Sequence, residues 1–115
     1  MNIFVSYTTI NDEVTINSLI DFSNKISSFG KIFIDLIDNN SEDKQSRVVE
    51  ELKKAEILML IKSKSIFNSE WVKFELEIAN EMNIPIIEFD INDIDSLTEQ
   101  EIENRIEMKL KNASR

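Results

Sequence analysis

Four short apolar runs punctuate the chain, and between them hydrophobic positions recur mostly at three- and four-residue steps, the spacing of helices. The first run is Ile3-Phe4-Val5, after which residues 8–12 are polar and turn-like. A helical pattern then reaches Phe29, carried by Val14, Leu19, Ile20, Phe22 and Ile26. Asn11 stands where an N-cap belongs, and acidic Asp12 and Glu13 suit the positive end of the helix dipole. Gly30, the only glycine, falls at the position of a left-handed C-cap. The second run, 31–36, centres on Ile32, Phe33 and Ile34; a polar loop covers 38–45, and Val48, Val49 and Leu52 mark a short helix. The third run is 57–61, followed after 62–68 by the most strongly patterned helix, 69–83. The fourth run, 84–89, carries the only proline, Pro85, near its start, where a strand tolerates it. Acidic 90–95 reads as loop, and Thr98 with Glu101 forms a capping-box pattern that opens a last helix to about Lys111.

Continuous apolar strands separated by helices imply a parallel sheet covered on both faces. Right-handed crossovers then wind the chain into a flavodoxin-like α/β three-layer sandwich. Its sheet is mainly parallel and four-stranded, in the order 2-1-3-4, and a C-terminal helix closes the chain. With 115 residues there is room for one domain, 1–115, and one core.

Charge and composition remove several classes of function. A net charge of −9 disfavours a nucleic-acid or anionic-membrane surface, although a locally basic pocket inside an acidic chain remains open. No apolar stretch approaches the roughly 20 residues that span a bilayer, and no secretory signal pattern opens the chain. Without cysteine there is no disulfide or thiolate, and a reducing, cytoplasmic setting is expected. Without histidine the commonest general base and metal ligand are gone, and no metal site is expected. Catalysis would have to rest on Asp, Glu, Lys, Tyr or the backbone.

One carboxylate breaks the pattern. With about 100° per residue and Trp71 set at 0°, Ile78, Met82, Ala79 and Phe74 gather around Trp71, while Lys73, Glu77, Asn80 and Glu81 lie opposite. Glu75 falls at about 40°, inside the apolar face. A carboxylate there is costly unless it is paired, hydrogen-bonded or lining a polar cavity. Two structural explanations compete with a functional one: a position at the rim of the core, or an ion pair with lysine or arginine. The helix follows the carboxyl end of a strand, the edge where doubly wound folds bind ligands.

The ordered set Ile3-Phe4-Val5-Ser6-Tyr7, Ile32-Phe33-Ile34-Asp35, 57–63, and Ser69-Glu70-Trp71-Val72-Lys73-Phe74-Glu75-Leu76 resembles a TIR (Toll/interleukin-1 receptor) domain over roughly residues 2–89. The Trp71-to-Glu75 spacing is similar to the motif of TIR domains that cleave NAD⁺, and 84–87 matches the family's next strand. The chain departs from the family in lacking a Pro-Gly turn in 36–45 and a fifth strand, and it resembles bacterial TIR-like proteins more than the animal receptor or adaptor domains.

The resemblance implies an NAD⁺ glycohydrolase or cyclase with Glu75 as catalytic carboxylate, NAD⁺ as substrate and no resident cofactor. It implies substrate-binding roles for Ser6 and Tyr7 at the end of the first strand, for Asp35 after the second, for Arg47 at the pyrophosphate, and for Trp71 and Phe74 along the nucleotide. Each has a plainer reading: core packing for the aromatic residues, a turn for Asp35, an ion pair or solvated side chain for Arg47. Self-association through TIR–TIR contacts and a separate effector responding to the product, in anti-phage immune signalling, follow from the family alone. The alternative is a non-enzymatic TIR interaction module acting by self-association or adaptor recruitment. A phosphoacceptor receiver domain, using Asp35 or Asp38, fits less well, because Tyr7 and Thr8 stand where an acidic pair would follow the first strand.

Overall fold

The computed structural model describes residues 1–8, 14–35 and 42–113. Its elements run β1 (Asn2–Ser6), α1 (Ile16–Ile26), a 3₁₀ turn (Ser27–Phe29), β2 (Lys31–Ile34), α2 (Lys44–Lys54), β3 (Ile57–Lys62), a second 3₁₀ turn (Ile66–Asn68), α3 (Glu70–Glu81), β4 (Ile86–Asp90) and α4 (Glu99–Ala113). All strand pairs are parallel, and the sheet order is β2-β1-β3-β4, as the pattern predicts.

Alternation along the strands divides the core into two layers. Ile3, Val5, Met59, Ile61 and Phe89 pack with Leu19, Phe22 and Ile26 of α1 and with Ile102 and Ile106 of α4. Phe4, Phe33, Leu58 and Leu60 face the other way, against Val48 and Leu52 of α2 and Val72 and Ala79 of α3. β3, paired on both sides, is apolar on both faces and buried from Ile57 to Ile61, which is why it reads as an unbroken hydrophobic run.

Element ends depart from the sequence reading for local reasons. Asn11, Asp12 and Glu13 lie outside the described residues, and α1 is capped instead by Thr15. The Thr15 hydroxyl accepts from the Ser18 N–H at 3.2 Å, while Ser18 Oγ accepts from the Thr15 N–H at 3.0 Å. Serine replaces the usual glutamate of that reciprocal box, so the signature is easily overlooked. The last turn before Gly30 tightens to 3₁₀. Gly30 itself has φ 156° and ψ −161°, an extended conformation of positive φ rather than the expected helical left-handed cap. The cause is close approach: a Cβ here would overlap the carbonyl oxygen of Met1, which accepts from the Lys31 N–H at 2.8 Å.

β2 ends at Ile34, one residue short of Asp35, and residues 36–41 lie outside the described set, including Asp38 and the region without the Pro-Gly turn. Ile84 and Pro85 precede β4 rather than opening it. Pro85 still contributes its carbonyl, which accepts from the Leu58 N–H at 2.9 Å. The stretch after β4 is a run of turns tied inward by buried Ile94 and Leu97, and Lys25 Nζ donates to the carbonyls of Ile94 and Asp95 at 2.7 and 2.9 Å. α4 opens on Thr98, whose hydroxyl accepts from the Glu101 N–H at 3.1 Å.

Candidate functional site

Parallel strands deliver their carboxyl ends to one edge of the sheet, and the helices that follow begin there. β1 brings Ser6 to this edge on the side of Phe4, facing α3. Ser69 caps α3, its hydroxyl accepting from the Val72 N–H at 3.2 Å. The helix then turns Val72, Glu75 and Ala79 into the core, with Trp71, Phe74 and Ile78 half-buried at the flanks. The buried stripe is therefore centred nearer Ala79 than Trp71, and Met82, grouped with Trp71 on the wheel, is exposed. Glu75 lies inside the buried face, as its helical position predicts.

Glu75 is 2 % exposed and Ser6 is fully buried. The Ser6 hydroxyl donates to Glu75 Oε1 at 2.8 Å. Among the described residues no lysine or arginine forms an ion pair with Glu75. Neither structural explanation raised by the sequence describes it: it is not at an exposed rim, and among the described residues it is in no salt bridge. Burial, opposed by the Ser6 bond and reinforced by the nearby negative charge of Asp35, pushes its carboxyl from an ordinary 4.5 up to about 8. Burial therefore favours the protonated form of Glu75 at neutral pH.

Ser6, Asp35 and Glu75 are thus brought together. Tyr7 reaches the same edge but is half-buried against the opposite core layer, the one shared by α1 and α4. Trp71 and Phe74 stand beside each other with ring centroids 5.8 Å apart and planes tilted by 40°. Arg47 is engaged elsewhere: its Nε donates to Glu51 at 3.0 Å, its guanidinium lies 5.6 Å from the Phe33 ring centroid, and it lines a cavity that includes neither Ser6 nor Glu75.

Sequence reasoning passed over three hydroxyls. The buried polar side chains among the described residues are Ser6, Thr8, Ser63, Ser65 and Glu75, and all belong to the carboxyl ends of β1 and β3, the segments just beyond, or α3. Ser63 Oγ has no hydrogen-bond partner among the described residues. The available signal was small hydroxyl residues within a few positions of the ends of two of the most apolar runs. Segments 9–13 and 36–41, which follow β1 and β2 in the chain, lie outside the described residues.

The fold and this edge define a flavodoxin-like α/β domain with a buried carboxyl bonded to a buried serine hydroxyl. Comparisons with protein-family models, curated proteins and solved structures found no match. Among the described residues no group of three or more acidic side chains is arranged to hold a metal ion, and no helix is long and apolar enough to cross a membrane.

Proposed function

We propose that this domain is a TIR-type NAD⁺ glycohydrolase or cyclase, with Glu75 as its catalytic carboxylate. The observation that carries the reading is the 2.8 Å bond, at the carboxyl edge of a parallel sheet, between fully buried Ser6 and a Glu75 with no cationic partner among the described residues. A buried carboxyl held by a hydroxyl rather than by a cation is an expensive feature, and such groups concentrate at functional sites. The ordered TIR-like motifs add support from the sequence.

The chemistry suits a protein without histidine. In NAD⁺ the nicotinamide leaves from a cationic pyridinium: the C1′–N1 bond breaks, its electron pair neutralises the ring nitrogen, and no acid is needed to protonate the leaving group. A carboxylate beside the ribose stabilises the cationic oxocarbenium-like transition state. Capture by water gives ADP-ribose and a proton; capture by the adenine base gives a cyclic product. The pyridinium cation also favours the charged form of Glu75, so substrate binding pulls a carboxyl that rests protonated toward ionisation. Signalling to a separate effector in anti-phage immunity accompanies this reading by family analogy.

Incubation with NAD⁺ at high protein concentration, followed by separation of nicotinamide, tests the proposal. Wild-type turnover should fall by a factor of about 10² or more in Glu75→Gln and Glu75→Ala. Its kcat/KM should rise with pH toward a plateau above about 8, as the free protein ionises. Equal turnover in all three proteins refutes the assignment. The near-complete burial of Glu75 favours a second reading, a non-enzymatic TIR interaction module whose glutamic acid is structural. Absent turnover under conditions of demonstrated self-association would select it.

A further inference from the structure

Away from Glu75, a cavity of about 230 Å³ opens between α2 and the starts of β1 and β2. Its lining includes Asn2, Lys31, Phe33, Arg47, Glu51 and Lys54. Three cations face one carboxylate there, in a chain whose net charge is −9. Such local reversal focuses anions toward the cleft against the repulsion of the whole molecule.

Arg47 is held in place from two sides. Phe33 lies 5.6 Å beneath its guanidinium and is itself stacked on core Phe4, with centroids 5.5 Å apart and planes at 30°. Glu51, whose side chain is only 12 % exposed, takes the Nε donor at 3.0 Å. That bond uses Nε and does not commit the two terminal Nη groups, the fork that grips a tetrahedral or planar oxyanion through paired hydrogen bonds. Lys31 and Lys54 add positive charge at the rim; Lys54 is 62 % exposed and its Nζ lies 3.9 Å from Glu51 Oε1. The floor is fixed by Asn2, whose Nδ2 donates to the Lys54 carbonyl at 3.2 Å and whose N–H donates to Glu56 at 3.1 Å.

We infer that this cleft is a binding site for a phosphate monoester dianion, with Arg47 as its principal ligand-binding residue. A second carboxylate, Glu56, is bonded to the Asn2 floor just outside the lining. The case for phosphate over a monocarboxylate therefore rests on the Arg47 fork, with Lys31 and Lys54 beside it, which suits a tetrahedral oxyanion. The volume is below the roughly 300 Å³ at which pockets for drug-sized ligands begin, so the occupant is small. The inference does not depend on the activity of Glu75.

The test is a titration of ¹⁵N-labelled protein with inorganic phosphate, alongside sodium chloride at matched ionic strength and sodium acetate. Phosphate should produce saturable shifts confined to amides of 31–33 and 47–54, with chloride producing none of them. Arg47→Met, which keeps an apolar stem over Phe33 but removes the fork, should weaken phosphate binding by about tenfold or more. Lys31→Gln should weaken it by a smaller factor. Non-saturable shifts, identical shifts with chloride, or unchanged affinity in the variants overturn the site. Equal affinity for acetate overturns its assignment to a phosphate dianion. Should Arg47→Met lack the wild-type circular dichroism spectrum, the Lys31→Gln and Lys54→Gln double variant decides, and unchanged phosphate affinity there rejects the proposal.

Discussion

A carboxyl that titrates near 8 in the folded chain and near 4.5 when exposed links proton binding to folding. Below the ordinary value both states hold the proton, and the protonated Glu75 contributes its full stabilisation. Between the two values the folded chain keeps the proton that the unfolded chain has released, so stability falls as pH rises, and the loss is complete above about 8. The loss is on the order of 3 kcal/mol by pH 7, at about 1.4 kcal/mol per pH unit. Glutamine cannot ionise and keeps an oxygen that can accept from Ser6. Glu75→Gln is therefore expected to match the wild type near pH 4 and to exceed it by a few kcal/mol at pH 8, read from urea midpoints across the range. Parallel pH profiles for the two proteins would show that Glu75 ionises in the fold much as it does in water. The sequence already marked this residue as misplaced, because helical periodicity assigns a direction to every side chain. It could not supply the partner: Ser6 lies 69 positions away, and only the parallel register of β1 beside β3 carries it to α3.

At the level of elements, periodicity was legible wherever burial is continuous and less so where a single contact sets a boundary. The four apolar runs became the four strands because both faces of the sheet are covered, and their order followed from crossover handedness. Thr15 displaced Asn11 as the visible cap because serine at its third position does the work usually given to glutamate. The buried stripe of α3 rotated away from Trp71 because the sheet packs against Val72, Glu75 and Ala79 while an aromatic side chain remains half-buried at its flank. Gly30 was recognised as a helix terminator, yet the Met1 carbonyl, a contact from the other end of β1's side of the chain, dictates its conformation. Gly30→Ala should cost about 2 kcal/mol or more, from positive φ and from displacing the first turn of the β1–β2 pairing. The measurement is a lowered urea midpoint with an unchanged slope. A change within a few tenths of a kcal/mol would mean that Met1 moves aside freely.

Across the whole molecule the dominant fact is a charge of −9 on a domain with a radius of gyration of 13.3 Å. Two copies approaching one another repel over distances comparable to the Debye length, about 8 Å at physiological ionic strength and roughly 30 Å in very dilute salt. The proposed enzyme inherits from its family resemblance an active form completed by self-association, and for this chain that step must overcome the repulsion. Specific activity toward NAD⁺ is then expected to rise with protein concentration, and to rise further when salt is added at fixed concentration, because screening favours assembly. Neutral substrate chemistry is not the source of such a response: salt that merely weakened contacts to the NAD⁺ phosphates would lower turnover. Turnover per chain measured over a dilution series, at low and physiological salt, separates these effects. A rise in both directions supports a site completed by a neighbouring copy. Constant turnover per chain across the series, with activity abolished by Glu75→Gln, would instead make one folded chain the complete catalyst and leave the surface charge a determinant of solubility alone.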